Sequence, residues 1–453
     1  MDVLHVIHQF APESCGGSES YLLDLARRQR TRGLAVEVLS GSKHAAAKVQ
    51  LDPPELVEGI PVHRLHRDDL FFDHHAKMWH PEVENVVEGL LRQWRPKLVH
   101  IHHWVRLTCN LAEIATRLAI PVVITIHDYY TSCPRAFRRR RGDALDDLAC
   151  RRPLAAASCA SCVPVYGYEQ PRELDAGIEL FADNYRAELA VARSVLVAVG
   201  STADLLAQTT GMPRARYEVL PLGYRARFAG LPKLPPPAPG RPVRFAYWGS
   251  IGRHKGVDVL VEAFARLAAR RPGRAELHLL GAPDTPELDR ELRTRAAGAP
   301  VTFHGAFDAA GLHAAAPQVG VFPSTCLETY GLVLDECFEL GLPCVTSDLG
   351  ALAERAGAAG LRTRAGHPEA LAAALQRFVD EPGLWAELAA RVPRQSMGLD
   401  AHVAAMLAIY ERARSSPAVA PAFPAVPALR RIMFLQLQRE SAIDRLRRPE
   451  GPS

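Results

Sequence analysis

No apolar stretch of the chain reaches the roughly 20 residues that a membrane-crossing helix needs, so none is expected. Charge of one sign is also lacking. A net charge of +4 over 453 residues is too small for binding along a duplex, and nucleic acid is not expected as a partner. Basic residues gather only locally, between Arg135 and Arg141 and in the C-terminal tail. There is no signal-peptide pattern, because Val3, Leu4, Val6 and Ile7 already read as a core strand running into a glycine loop. A cytoplasmic protein is the expectation. Nine cysteines, an odd number, argue against a disulfide framework and for reduced thiols or metal ligands. The dinucleotide fingerprint is missing as well, since Gly16-Gly17-Ser18 lacks the Gly-x-Gly-x-x-Gly spacing.

What is there belongs to a globular α/β protein. The length suffices for about two to three domains, and 48% hydrophobic with 23% charged residues is an ordinary soluble composition. Strand-like apolar runs alternate with helical patterns, at Leu4 to His8, Val36 to Ser40, Leu98 to His102, Val122 to His127 and Val195 to Val199. A second series follows, at Val243 to Trp248, Glu276 to Leu280, Val301 to His304, Val319 to Phe322 and Cys344 to Ser347. Such alternation predicts two doubly wound parallel sheets. Between them, Pro232 to Pro239 cannot continue a helix or a sheet and reads as a semi-rigid linker. The predicted division is 1–228, a linker at 229–242, 243–396, a helix within 397–415, and a tail at 416–453.

Two carboxylates draw attention in the second series. Glu328-Thr329-Tyr330-Gly331-Leu332 and Glu336 follow the run Val319 to Phe322, and Gly341-Leu342-Pro343 stops the element. Read as one helix, this segment puts Glu328 near the entrance and Glu336 two turns in, roughly 12 Å apart at 1.5 Å per residue. That exceeds the roughly 5 to 9.5 Å of a paired general acid and base. The acids suit opposite ends of a long, hydroxyl-rich ligand whose anionic middle lies over the helix N-terminus, as in a nucleotide sugar.

This pattern resembles the donor-site motif of retaining glycosyltransferases of family 4, in the glycogen-synthase-like group. The resemblance implies the GT-B fold, two Rossmann-like domains facing a cleft, with a closing helix that crosses back to the first domain. It implies that Glu328 contacts sugar hydroxyls and Glu336 the ribose, while Thr329, Tyr330, Gly331 and Leu332 present backbone N–H groups. Tyr247-Trp248-Gly249-Ser250 leads to Arg253, His254, Lys255 and Gly256, and Lys255-Gly256 matches the family's Lys-Gly. Lys255 is expected to neutralise the leaving diphosphate. Ser250 stands where the family often has Arg, and Arg253 is the nearest substitute. Gly16 and Gly17, with Glu19, match a Gly-Gly-x-Glu segment near the donor phosphates. His127, at a strand end where open α/β sheets bind ligands, corresponds to a histidine that reaches the transferred sugar. His102 and His103, at a comparable strand end, are read as structural or acceptor-lining. Leu220 to Arg225 keeps Gly223 but not the family's polar flanks.

The implied activity moves a sugar from a nucleoside diphosphate donor to a saccharide, lipid-linked or small-molecule acceptor, with anomeric retention and no metal in the chemistry. An epimerase or a phosphorylase on the same frame, or a non-catalytic sugar-nucleotide-binding subunit, is the alternative. Cys133, Cys150, Cys159 and Cys162, in an insertion at about 133–162, include one Cys-x-x-Cys and offer either a structural zinc site or four reduced thiols. The span from Ala428 to Arg448 reads as a basic amphipathic helix suited to an anionic membrane surface or to a protein partner.

Overall fold

The computed structural model describes residues 1–68, 78–140, 148–165, 170–393 and 397–417. The tail helix expected over 428–448 lies outside them. The chain divides into two compact units. The first comprises residues 1–136, 151–220 and the chain from Val403; the second comprises 137–150 and 221–402.

Among the described residues the first unit holds nine strands: β1 (Val3–Ile7), β2 (Val36–Gly41), β3 (Gln50–Leu51), β4 (Glu55–Val57), β5 (Ile60–His66), β6 (Val99–Ile101), β7 (Val122–Thr125), β8 (Ser194–Val197) and β9 (Tyr217–Val219). Their order is β3-β5-β2-β1-β6-β7-β8-β9, with β4 added on β5. All pairs are parallel except those that β3 and β4 make with β5. Glu58 and Gly59, both at positive φ, turn β4 into β5, the backbone that a two-residue hairpin demands. The sheet reverses its winding at β1, which lies between β2 and β6. Loops leaving the carboxyl ends of β1 and β6 therefore meet.

The second unit is a six-stranded, all-parallel sheet of β10 (Val243–Trp248), β11 (Ala275–Leu280), β12 (Val301–Gly305), β13 (Val319–Phe322), β14 (Cys344–Ser347) and β15 (Gly360–Thr363). Its order, β12-β11-β10-β13-β14-β15, places the reversal between β10 and β13. Phe245, Trp248 and Phe264 lie in its core. Thr285 Oγ1 and Asp308 Oδ1 cap two helices by accepting from Leu288 N at 3.2 Å and Gly311 N at 2.7 Å. The proline-rich segment is attached to this unit: Pro232 O accepts from His313 Nε2 at 2.8 Å, and Leu234 packs on the core.

One expected element differs. The helix after β13 spans only Val333–Glu339, so Glu328 sits in the preceding loop and Glu336 in the first turn. The rise per residue used to separate the two acids does not apply to a loop. Gly331, at φ +78°, breaks the helical path, and a Cβ there would stand 2.5 Å from Leu352 Cδ2.

Two buried histidines give the fold a pH dependence. Burial pushes His5 in the first unit and His402 in the second from 6.5 down to about 4. The unfolded chain then binds more protons than the folded one between those values, so stability is complete above pH 6.5 and is lost as the pH falls toward 4. Each ring is expected to lower the unfolding free energy by about 2 kcal/mol between pH 7 and pH 5. Urea unfolding at the two pH values measures this, and equal midpoints would contradict it.

Candidate active site

In the second unit, the loops after β10 and β13 converge. Gly256, at φ +70°, ends the short turn Arg253–Lys255, and a Cβ on it would lie 2.1 Å from Pro323 O. With no side chain in the way, the first loop lies directly on the second. Thr325 N donates to His254 O at 2.9 Å, Ser324 Oγ to the same carbonyl at 3.0 Å, and Thr325 Oγ1 to Arg253 O at 3.0 Å. Gly249, at φ +123°, begins the first loop, and Tyr247 OH donates to Ser250 O at 2.6 Å.

This arrangement brings Lys255 Nζ to 2.7 Å from Glu328 Oε1, which also accepts from Ser324 Oγ at 3.1 Å. The side chains keep 28% and 16% of their exposure, so the pair is sheltered but reachable. Burial disfavours both charges, yet each stabilises the other: the Glu328 carboxyl is held below its ordinary range and the Lys255 ammonium above its own. The pair is ionised at neutral pH.

Glu336 has different company. Its Oε2 accepts from Trp248 Nε1 at 2.7 Å and its Oε1 pairs with Arg227 Nη1 at 3.1 Å. Burial pushes its carboxyl upward, against the opposing pull of Arg227 and Trp248. Tyr330 is buried beneath the Arg355 guanidinium, 3.6 Å from its ring centroid. Arg355 also donates to Tyr330 O at 3.2 Å, Gly331 O at 2.8 Å and Asp335 Oδ1 at 2.6 Å. It thus shapes the segment through Thr329 and Leu332, a role that sequence reading missed because a lone Arg on a helix carries no signal. Trp248, at the end of β10, and Arg227, in a loop, were missed because a single residue there carries no spacing signal either. Arg253 pairs with Glu291, and with Asp258 at 3.9 Å. Its guanidinium is therefore engaged with acids on two helices.

The first unit assembles its own cluster. Gly16 and Gly17 open the helix Gly17–Thr31, and Glu19 turns back to accept from Ser14 Oγ at 3.1 Å and Ser18 Oγ at 3.0 Å. A Cβ on Gly16 would approach Glu19 Oε2 to 2.6 Å. His127, just beyond β7, lies with its Nε2 2.9 Å from His102 Nδ1, and the Tyr21 ring packs at 5.2 Å. His103 Nε2 contacts Asp128 Oδ2 at 2.8 Å; burial opposes the charge on Asp128, but His103 and the Tyr130 N–H hold that carboxyl below its ordinary range. Among the described residues, one group of three ligand atoms lies mutually within 4.8 Å, on His5, His100 and His102. The rings of His5 and His100 already use both nitrogens in hydrogen bonds within the protein.

None of the four clustered cysteines forms a disulfide among the described residues; Cys133, Cys159 and Cys162 lie in the first unit and Cys150 in the second. No three of them form a ligand group among the described residues. Arg135 Nη1 lies 3.5 Å from Cys162 Sγ and Arg138 Nη2 3.9 Å from Cys150 Sγ.

Comparison with known proteins matches two separate stretches of the chain. Residues 242–381 match the family "Glycosyl transferases group 1", and residues 16–165 match "Glycosyl transferase 4-like domain". The chain is 28% identical over 438 residues to D-inositol 3-phosphate glycosyltransferase of Streptomyces griseus, covering 90% of this chain and 87% of that one. It is 25% identical over 424 residues to glycogen synthase of Mycobacterium tuberculosis, covering 88% and 91%. Among solved structures, the catalytic domain of starch synthase IV from Arabidopsis thaliana, bound to ADP and acarbose, superposes with a TM-score of 0.61 at 14% identity, covering 92% of this chain and 100% of that one. Two parallel α/β sheets, a Lys-Gly loop after β10 and a Glu-bearing loop after β13 thus coincide with matches in both halves, and the chain belongs to family 4 of the GT-B glycosyltransferases, the glycosyl transferases group 1 superfamily.

Proposed function

We propose that this glycosyltransferase transfers a hexose from a nucleoside diphosphate donor to an acceptor hydroxyl with retention at the anomeric carbon, in polysaccharide, glycolipid or glycoconjugate synthesis. The observation that carries the donor assignment is the Lys255–Glu328 pair at 2.7 Å, built from the loops of two strands that flank the reversal of the sheet. There an ammonium meets leaving phosphate oxygens while the carboxylate accepts from sugar hydroxyls. Glu336, held by Trp248 and Arg227, accepts from the ribose hydroxyls. The ADP bound to the starch synthase neighbour supports a nucleoside diphosphate as the shared ligand.

In this reaction the bond from the anomeric carbon to the phosphate oxygen breaks on the face where the acceptor oxygen bonds. The acceptor proton passes to the leaving phosphate. Lys255 stabilises the charge that develops on the diphosphate, and His127 contacts the transferred sugar. No protein base is needed when the leaving group takes the proton.

A thermal-shift series with nucleoside diphosphates and their sugars tests the reading, because a ligand that binds only the folded chain raises its melting temperature. One nucleoside diphosphate is expected to stabilise the protein. Glu336→Ala should weaken that ligand by about 10-fold or more, the scale of a lost hydrogen bond to a charged group. Absence of a shift with every nucleotide would refute the donor assignment.

A further inference from the structure

A buried row of polar side chains runs through the first unit and ends at His127. Gln29 Nε2 donates to the Tyr410 hydroxyl at 3.1 Å, and Gln29 Oε1 lies 2.8 Å from His5 Nε2. His5 Nδ1 is 3.0 Å from His102 Nε2, and His102 Nδ1 is 2.9 Å from His127 Nε2. His5, Gln29 and His100 are fully buried and His102 is 1% exposed. Tyr410 comes from the helix Leu399–Ser415, and its oxygen also lies 2.7 Å from His100 Nδ1.

We infer that Gln29, His5 and His102 are positioning residues that fix His127 as the Nε2–H tautomer, so that its Nδ1 is an acceptor for a sugar hydroxyl. The contact with sugar rests on the function proposed above; the tautomer does not. The argument is a count of protons. A neutral imidazole has one N–H and one lone pair. The Gln29 carbonyl can only accept, so His5 Nε2 donates to it. Burial keeps His5 neutral, and its Nδ1 therefore accepts, which obliges His102 Nε2 to donate. His102 is enclosed by the rings of His5, His100 and His127 at centroid distances of 5.2, 4.1 and 5.2 Å. A charge there would be desolvated beside other polar rings, so His102 carries one proton and its Nδ1 accepts from His127 Nε2. The same count closes at the far end: the Tyr410 proton goes to His100 Nδ1, and His100 Nε2 donates to Thr125 Oγ1 at 2.8 Å.

The orientation of a single amide thus sets the donor and acceptor ends of three successive rings. Turned over, Gln29 would donate to His5, and every proton in the row would change sides.

Side-chain nitrogen shifts of histidine-labelled full-length protein at neutral pH test this without substrate. His127 is expected to show a protonated Nε2 and an unprotonated Nδ1. Gln29→Leu, which removes the carbonyl that starts the row, should average the two tautomers and lower kcat/KM by about 10-fold, one hydrogen bond's worth. A proton on His127 Nδ1 in the unaltered protein would overturn the inference. So would an unchanged Nε2–H signature in a folded Gln29→Leu protein. If instead the tautomer is as stated and His127→Ala retains full activity, the row stands and the sugar contact falls.

Discussion

Lys255→Ala is expected to lower kcat by about 100-fold or more, the scale seen when a donor to developing charge is removed. The substitution removes the ammonium 2.7 Å from Glu328 and has two consequences. The leaving diphosphate loses its counter-charge, which acts most in the transition state, so turnover should fall further than donor affinity. Glu328 also loses the partner that keeps its carboxyl low, so the alanine variant should bind sugar with a new acid limb in its pH dependence. Steady-state kinetics at saturating donor measure the first effect. Wild-type turnover in Lys255→Ala would remove this residue from the chemistry.

Gly256→Ala is the second substitution with a large expected effect, although it adds one carbon. The new Cβ would stand 2.1 Å from Pro323 O in a backbone at φ +70°. The left-handed conformation alone costs about 1–2 kcal/mol for a residue with a side chain. The clash cannot be relieved by a rotamer, because both atoms belong to the backbone or are fixed to it. The loops after β10 and β13 must separate, and with them Lys255 and Glu328. A drop in melting temperature together with activity at least as low as that of Lys255→Ala is expected. Gly256→Ala with unaltered stability and rate would show that the two loops do not depend on this contact.

Much of the fold was legible in the sequence because a parallel strand buried on both faces is a continuous apolar run. Val319–Phe322 and Cys344–Ser347 are buried throughout, and both were expected as strands. β5 was missed for the opposite reason. Ile60–His66 is almost wholly buried yet carries His63, Arg64 and His66, which break the apolar run of a buried strand. Their polar groups are met by residues elsewhere: His63 by Glu37 at 2.7 Å, His66 by Asp52 at 2.8 Å, and Arg64 by Glu55 and the Phe10 carbonyl. A buried polar strand is stable only with such partners.

The site shows the same division. The two acids, Lys255 and the glycines were visible as a motif, because loops with a positive-φ glycine between a strand and a helix have a compositional signature. Glu328 was expected near the helix entrance with Glu336 two turns in, whereas the helix begins at Val333, since Gly331 interrupts it. His102, expected to be structural or acceptor-lining, contacts His127, a pairing that no local pattern signals.

Local pattern, the periodicity of apolar residues and the places where glycine must stand, was enough to determine two parallel sheets and to single out the segments that carry Lys255, Glu328 and Glu336, whose motif resembles the family's. Tertiary structure alone decided which polar groups face one another. Lys255 and Glu328 are 73 residues apart, His5 and His102 97, and Gln29 and Tyr410 381. Hydrophobic burial repeats with the local geometry of the chain, whereas a buried hydrogen bond needs one particular partner at one particular distance, and only the folded backbone brings the two together.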